Sequence, residues 1–181
     1  SSRSGQYNMP GATLQGRDMS SEAMERANFS GANLQQVNFT SSNLERANLS
    51  GSMADEANFS SANLEGANLS GSNLKRTHFQ EANLEGANLS GVRAEEAEFT
   101  QANLEEANLT GANLARANFY EANLSEANLR GATLTGAELN SANLEDATLN
   151  GARLDKASLI EANLEDTDFI SANLGEANLT G

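Results

Sequence analysis

The sequence contains no cysteine, a single histidine and few basic residues. Without cysteine the chain has neither disulfides nor thiol chemistry, and its redox compartment stays open. Nucleophilic catalysis needs a base beside the nucleophile, and His78 is the only imidazole available for that role. Eleven Lys and Arg against 25 Asp and Glu leave a net charge of −14. Such a charge repels nucleic acid, so any charged partner is expected to be basic.

The chain also lacks long apolar runs and shows no change of composition along its 181 residues. No run approaches the roughly 18 residues that a membrane-spanning helix needs, and no secretory signal stands at the N-terminus. We therefore expect one domain in a soluble protein, cytoplasmic by default, although a signal or a membrane anchor could have been removed.

A five-residue unit fills almost the whole chain, as in the stretch ANFSSANLEGANLSGSNL at 57–74. Each unit has a small residue, a polar residue that is usually Asn, a central Leu or Phe, and two further polar residues. The centres recur every fifth residue from Met9 to Leu179 without an insertion. Small and central residues alternate with an outward polar residue, as in a short strand, and the last two residues suit a corner. Pro10 followed by Gly11 fits a type II turn at such a corner.

A second period of 20 residues defines the circuit. Three residue types each recur at this spacing: Gly at 11, 31, 51, 71, 91, 111, 131 and 151; Phe at 39, 59, 79, 99 and 119; Glu at 25, 45, 65, 85, 105, 145 and 165. Because like residues recur where they stack, one circuit should comprise four units with a square cross-section. Neighbouring circuits would run parallel at about 4.8 Å.

This pattern resembles the A(D/N)LXX motif of the pentapeptide-repeat family from Met9 to the last residue. The resemblance implies an all-β fold, a right-handed quadrilateral parallel β-helix with about nine coils of four pentapeptides. The handedness follows from the family and from the general preference for right-handed crossovers. The regular, uninterrupted repeat is similar to the kind abundant in cyanobacteria.

The domain prediction is a disordered N-terminal tail over 1–6 and a single β-helix over 7–181. Within it, 7–26 is degenerate, because Arg17 and Glu22 occupy inward positions. We interpret this stretch as an end coil, with a short capping helix over 21–26 as the alternative. Beyond Leu179 no helix or charged plug covers the last coil, so either this end stacks on another molecule or the chain is a piece of a longer protein.

The predicted core is one axial column of side chains. Its structural members are two stacked files: Phe39, Phe59, Phe79, Phe99 and Phe119, and Leu44, Leu64, Leu84, Leu104 and Leu124. Ala54 and Ala94 replace Leu on another face and should leave small voids or a local distortion. Val92 could fill the second void, and Met53 could fill the first if the strand twists locally.

Charged and amide residues also form files along the rod. Glu56, Arg76, Glu96 and Arg116 alternate in sign at one corner, and Asp55, Lys75 and Glu95 do so beside them, which predicts ion-pair ladders. The Asn file at 28, 48, 68, 88, 108 and 128 predicts amide hydrogen bonds between circuits.

His78 should be a solvated side chain stacked between Asn58 and Glu98. Exposed Glu at 25, 45, 65, 85 and 105 predicts only weak cation accumulation, so we assign no metal, cofactor or catalytic residue.

The acidic excess is concentrated in the second half of the chain. Residues 1–90 hold nine acids and six bases (−3), and 91–181 hold sixteen acids and five bases (−11). The candidate interaction surface is the corner that carries most of this excess, formed by Glu105, Glu106, Glu126, Glu145, Asp146, Glu165 and Asp166.

Two functions fit these features. The first is a non-enzymatic scaffold or spacer with a protein partner, which self-associates end to end if the C-terminal coil is uncapped. The second rests on the resemblance, because some pentapeptide-repeat proteins mimic DNA and occupy the DNA-binding saddle of gyrase. Those proteins also carry a C-terminal dimerisation segment, and several have loops that interrupt the repeat; neither feature appears in the sequence as given.

Overall fold

A computed structural model of the protein describes residues 7–181, so the predicted tail at 1–6 lies outside the described residues. Residues 7–181 contain neither a helix nor an extended strand, and hence no helix that could span a membrane. Instead, one residue of each unit forms an isolated parallel bridge with the residue 20 positions along the chain, from Asn8↔Asn28 to Ser158↔Asn178. A two-residue corner leaves only three residues per face, which is too short for a longer strand. The predicted 20-residue circuit with parallel neighbours is confirmed.

Corners occur every fifth residue, and the second residue of each has a positive φ. This holds at all 35 positions from Gly11 to Gly181, of which 22 are not glycine. The turn is closed by a backbone hydrogen bond, for example from the Ala12 amide to the Met9 carbonyl at 3.2 Å. A negative φ followed by a positive φ is the type II arrangement that Pro10 and Gly11 predicted.

Non-glycine residues tolerate these corners because their amides are bound by the next coil. The Glu106 amide, at φ 58°, donates to the Ser125 carbonyl at 3.0 Å. A left-handed conformation costs an L-residue about 1 kcal/mol, which a net backbone hydrogen bond can offset. Hydrogen bonds of the same kind run along the faces, such as Leu84 N to Asn103 O at 2.7 Å. The coils are therefore joined at both faces and corners.

The core is the predicted axial column of small and large apolar side chains. All residues of the predicted Phe and Leu files have no exposed surface. The five stacked phenylalanines have ring centroids 4.8–5.1 Å apart and interplanar angles of 1–9°. Since the ring spacing matches the coil spacing, each ring contacts its immediate neighbours in the Phe file.

The two Leu-to-Ala positions behave differently from each other. Met53 is 44% exposed and lies outside the core, so the prediction that it fills the space at Ala54 is wrong. Met53 occupies the bridge position of its unit, where side chains point outward. Its side chain would have to point inward to fill the space at Ala54. Val92 is buried as predicted, and its turn hydrogen bond to Leu89 O is stretched to 3.4 Å. The local distortion predicted at this pair of positions is thus present beside Ala94 as a longer turn hydrogen bond.

The first circuit continues the coil, so the alternative of a capping helix over 21–26 is wrong. Ala23 forms a parallel bridge with Asn43, and Ser21 and Arg26 have the positive φ of ordinary corners. Arg17 is exposed, and the half-buried Glu22 accepts a hydrogen bond from the Tyr7 hydroxyl at 3.1 Å. The circuit is open enough for both charged side chains to avoid an unpaired burial.

Candidate interaction surfaces

The predicted acidic residues lie along a single corner of the rod. They are the corner pairs after Leu104, Leu124, Leu144 and Leu164, in which Ser125 replaces one acid. Backbone hydrogen bonds stack these corners, as from the Glu126 amide to the Glu145 carbonyl at 2.9 Å. We call the seven carboxylates predicted from the sequence the acidic corner. The structure places all of them at this one corner, in two adjacent files.

Three members of the acidic corner converge. Carboxylate oxygens of Glu105, Glu106 and Glu126 lie within 4.8 Å of one another. A hydrogen bond with Glu106 and the charge of Glu106 raise the pKa of Glu126 above its ordinary value, and Asp146 and Glu105 add to the shift. Within 7–181, no Lys or Arg forms an ion pair with the acidic corner. Its charge is therefore not neutralised by the chain itself.

The alternating corner forms the predicted ion-pair ladder. Arg76 lies 3.9 Å from Glu56 and 3.8 Å from Glu96, and Arg116 lies 3.4 Å from Glu96. Gln36 extends the file by donating to Glu56 at 3.3 Å. About half of each charged side chain is exposed, so each pair contributes only tenths of a kcal/mol.

The neighbouring file of Asp55, Lys75 and Glu95 does not form the predicted ladder. Over 7–181, none of the three has an ion-pair partner within 4.0 Å. Asp55 is half-buried, with an enclosed Oδ1 that accepts no hydrogen bond. Burial raises the pKa of Asp55, because the carboxylate loses hydration that Lys75 and Arg76 do not replace. Twenty-residue spacing therefore aligns residues without ensuring that long side chains meet.

His78 lies beside the ladder, in a groove of about 590 Å³. The groove is lined by Glu56, Arg76, His78, Glu96, Glu98 and Arg116. As predicted, His78 is bridged to Asn58 and Glu98, and its Nδ1 accepts a hydrogen bond from Gln80 at 3.4 Å. Sequence analysis did not predict this groove. The sequence contained a signal for it. His78 follows Arg76 by two residues and Glu98 follows Glu96 by two residues, which places both beside the ladder.

Amide hydrogen bonds between coils form chiefly on a different face from the predicted one. In the predicted file, the described coil-to-coil bond is Asn28 to Asn8 at 3.4 Å. A continuous run of such bonds, 3.1–3.5 Å long, instead joins the Asn file at 43, 63, 83, 103, 123, 143 and 163. In both files Oδ1 also accepts the amide two residues on, as Asn88 does from Ser90 at 3.0 Å. Side-chain rotation, rather than the repeat, decides which file forms the ladder.

Comparisons with known proteins bear directly on this architecture. The family model described as pentapeptide repeats matches in eight copies, over residues 8–45, 23–60, 57–93, 97–136, 112–151 and 149–181. The crystal structure of HetL, a pentapeptide repeat protein involved in heterocyst differentiation regulation from the cyanobacterium Nostoc, is similar at 30% identity. The match covers 93% of this chain and 83% of HetL, with a TM-score of 0.50.

A second similar structure is that of full-length QnrB1, a plasmid-mediated fluoroquinolone resistance protein. The identity is 21%, the match covers 89% of this chain and 92% of QnrB1, and the TM-score is 0.56. This likeness concerns the fold alone. The comparison with curated proteins gave no significant match. Together, the family match over nearly all of 8–181 and the HetL likeness show that the chain belongs to the pentapeptide-repeat family.

Proposed function

We propose that the protein is a non-enzymatic interaction scaffold whose acidic corner binds a basic protein. The rod is a right-handed quadrilateral β-helix of about nine coils, since 35 corners at four per circuit give 35/4. Its interior is filled by Ala, Leu and Phe, which leaves the outer surface for recognition. The convergence of Glu105, Glu106 and Glu126 is the observation that carries the proposal.

Electrostatics of this cluster favour a cationic partner. The raised pKa of Glu126 means that its neighbours oppose ionisation. A Lys or Arg from a partner placed among the three carboxylates would relieve that repulsion, whereas the ladder at Arg76 already has its counter-charges. Charge of one sign along a rigid edge also accelerates the encounter with a basic partner.

A second candidate function is DNA mimicry toward gyrase. It is favoured by the acidic corner lying on a rod whose fold is similar to that of QnrB1, itself a fluoroquinolone resistance protein. Mimicry would use the file of charges as a substitute for a phosphate backbone. It requires gyrase to be inhibited or protected by the protein, which the scaffold function does not.

Charge reversal at the acidic corner tests both candidates. We expect the triple variant Glu126→Lys, Asp146→Lys and Asp166→Lys to lose binding to a labelled oligolysine peptide, measured by fluorescence anisotropy. Lysine is tolerated at this backbone position, because Lys156 has a φ of 63° at an equivalent corner. The matched control, Glu45→Lys, Glu65→Lys and Glu85→Lys, makes the same change of net charge on the same corner nearer the N-terminus.

Retained binding in the control and lost binding in the acidic-corner variant support the proposal. Equal loss in both variants would show that net charge alone governs binding, which would refute a local site. A parallel DNA-supercoiling assay separates the two functions. Gyrase inhibition by the native protein that disappears in the acidic-corner variant would establish mimicry in place of the scaffold function.

A further inference from the structure

The face that carries His78 has an unusual order of charges along the rod. Its outward residues are Asn58, His78, Glu98 and Asn118, and the ladder of Glu56, Arg76, Glu96 and Arg116 borders it. We call this surface the His78 face. From residue 56 to residue 116 the ladder runs acid, base, acid, base, and in the opposite direction it runs base, acid, base, acid. A ladder that faces a reversed copy of itself therefore meets an opposite charge at each position.

We propose that the His78 face binds a second copy of this chain in an antiparallel arrangement. The two-fold axis lies in the plane of contact, perpendicular to the rod, and passes between the coil of Arg76 and the coil of Glu96. Each file of one copy then faces the same file of the second copy, in reverse order. Arg76 then faces Glu96 of the second copy. Glu56 faces Arg116 of the second copy, so all four ladder residues meet an opposite charge.

The file beside the ladder obeys the same symmetry independently. His78 faces Glu98 of the second copy, which allows an imidazole to carboxylate hydrogen bond in both directions across the axis. Asn58 faces Asn118 of the second copy, and amides pair readily with amides. At the edge of the face, Lys75 faces Glu95 of the second copy. This contact would give Lys75 an ion-pair partner that it lacks among residues 7–181.

Charge favours this face over the acidic corner as a contact between two copies. Two chains of net charge −14 repel each other, and an antiparallel contact through the acidic corner would juxtapose acids near its centre. The His78 face opposes no acid to another acid. Tyr120, 41% exposed at the edge of this face, adds an aromatic residue of a type enriched in interfaces.

Two charge swaps with identical composition test the proposal by sedimentation equilibrium. Glu96→Arg with Arg116→Glu changes the ladder order to acid, base, base, acid, which places like charges opposite each other at every ladder contact of the dimer. Arg76→Glu with Glu96→Arg gives acid, acid, base, base, which keeps every ladder contact opposite in sign. The second swap disrupts two ladder contacts within the chain, and the first disrupts only one.

We expect the native protein to reach twice the 19.1 kDa mass of the chain. The first swap should raise the dimer dissociation constant at least about tenfold, and the second should leave it within about threefold. Added salt should weaken the native dimer. A native protein that stays monomeric up to millimolar concentration would overturn the proposal. So would equal effects of the two swaps, which is the result expected for contact through the rod ends.

Crosslinking gives a second measurement that leaves every charge in place. Because the chain has no cysteine, Asn58→Cys and Asn118→Cys can be introduced singly. In the proposed dimer the two positions face each other, while neither faces itself. A short bismaleimide should therefore link a mixture of the two single variants into a dimer and leave each variant alone monomeric. Linking of one variant alone, or no linking in the mixture, would contradict the antiparallel register.

Discussion

The rings of Phe59 and Phe79 lie parallel, with centroids 5.1 Å apart and planes inclined by 6°. Twenty residues separate them along the chain, and one coil separates them in space. Offset stacking of this kind adds roughly 0.5–1.5 kcal/mol per pair to the burial of each ring. In the Phe file, residues 20 apart in sequence therefore contribute directly to stability through contacts between their rings.

Shortening a ring in this file should destabilise the rod according to the volume removed. We expect Phe79→Ala to lower the free energy of unfolding by about 3–5 kcal/mol, because it leaves a cavity between Phe59 and Phe99. Phe79→Leu should cost at most about half as much, since Leu139 occupies the same file without exposure. Urea unfolding followed by circular dichroism measures both, and equal costs would contradict an inward, stacked Phe79.

Because its amide pairs with those of neighbouring coils, Asn83 should contribute more than Asn88 to the free energy of unfolding. Asn83 donates to Asn63 at 3.4 Å, accepts from Asn103 at 3.3 Å and accepts the Glu85 amide at 3.1 Å. Among residues 7–181, the side chain of Asn88 accepts only the Ser90 amide. We expect Asn83→Ala to cost about 1 kcal/mol more than Asn88→Ala in unfolding experiments. Equal costs would show that the amide ladder adds no net stability.

Glycine at a corner should matter for its conformation and not for its size. Gly71 has a φ of +64°, and a Cβ added there would meet no atom within 4 Å. We expect Gly71→Ala to lower the free energy of unfolding by about 1 kcal/mol, since only the left-handed backbone penalises it. Ser70→Ala, one residue earlier, is the control and should have a smaller effect. A neutral Gly71→Ala would mean that the corner readjusts to a negative φ.

Acidification should stabilise the acidic corner through Glu126. Its folded-state pKa is raised by Glu106, so its stabilising contribution is present below the unfolded pKa and is lost as the pH rises through the folded pKa. We therefore expect Glu126→Gln to raise the melting temperature at pH 7 and to change it little at pH 3.

Glu81→Gln provides the matched control for that experiment. Glu81 has the same corner conformation, with a φ of 59°, but its stacked neighbours Ser61 and Gln101 are uncharged. Scanning calorimetry of both variants at the two pH values should show the pH-dependent gain only for Glu126→Gln. The same gain in both variants would point to net charge instead of local repulsion.

Particular residues show how far sequence analysis reached. The Phe and Leu files, the corners and the ladder at Arg76 follow from the repeat, because a stacked coil carries each position onto its equivalent. Lys75 and the Asn file at 28–128 show its limit. Both are aligned as predicted, yet Lys75 makes no ion pair among residues 7–181, and the continuous amide ladder formed at 43–163. Alignment at about 4.8 Å brings side chains within reach, but rotamers and hydration select which of them bond.

The amino-acid sequence alone determined the 20-residue circuit, the parallel stacking and the identity of the core, since a repeat without insertions leaves no freedom in register. Tertiary structure decided the rest. It placed Met53 outside, stretched the turn at Val92, brought Glu105, Glu106 and Glu126 together and opened the groove beside His78. Each of these outcomes depends on side-chain torsions and on contacts between non-identical neighbours, which a period in the sequence does not encode.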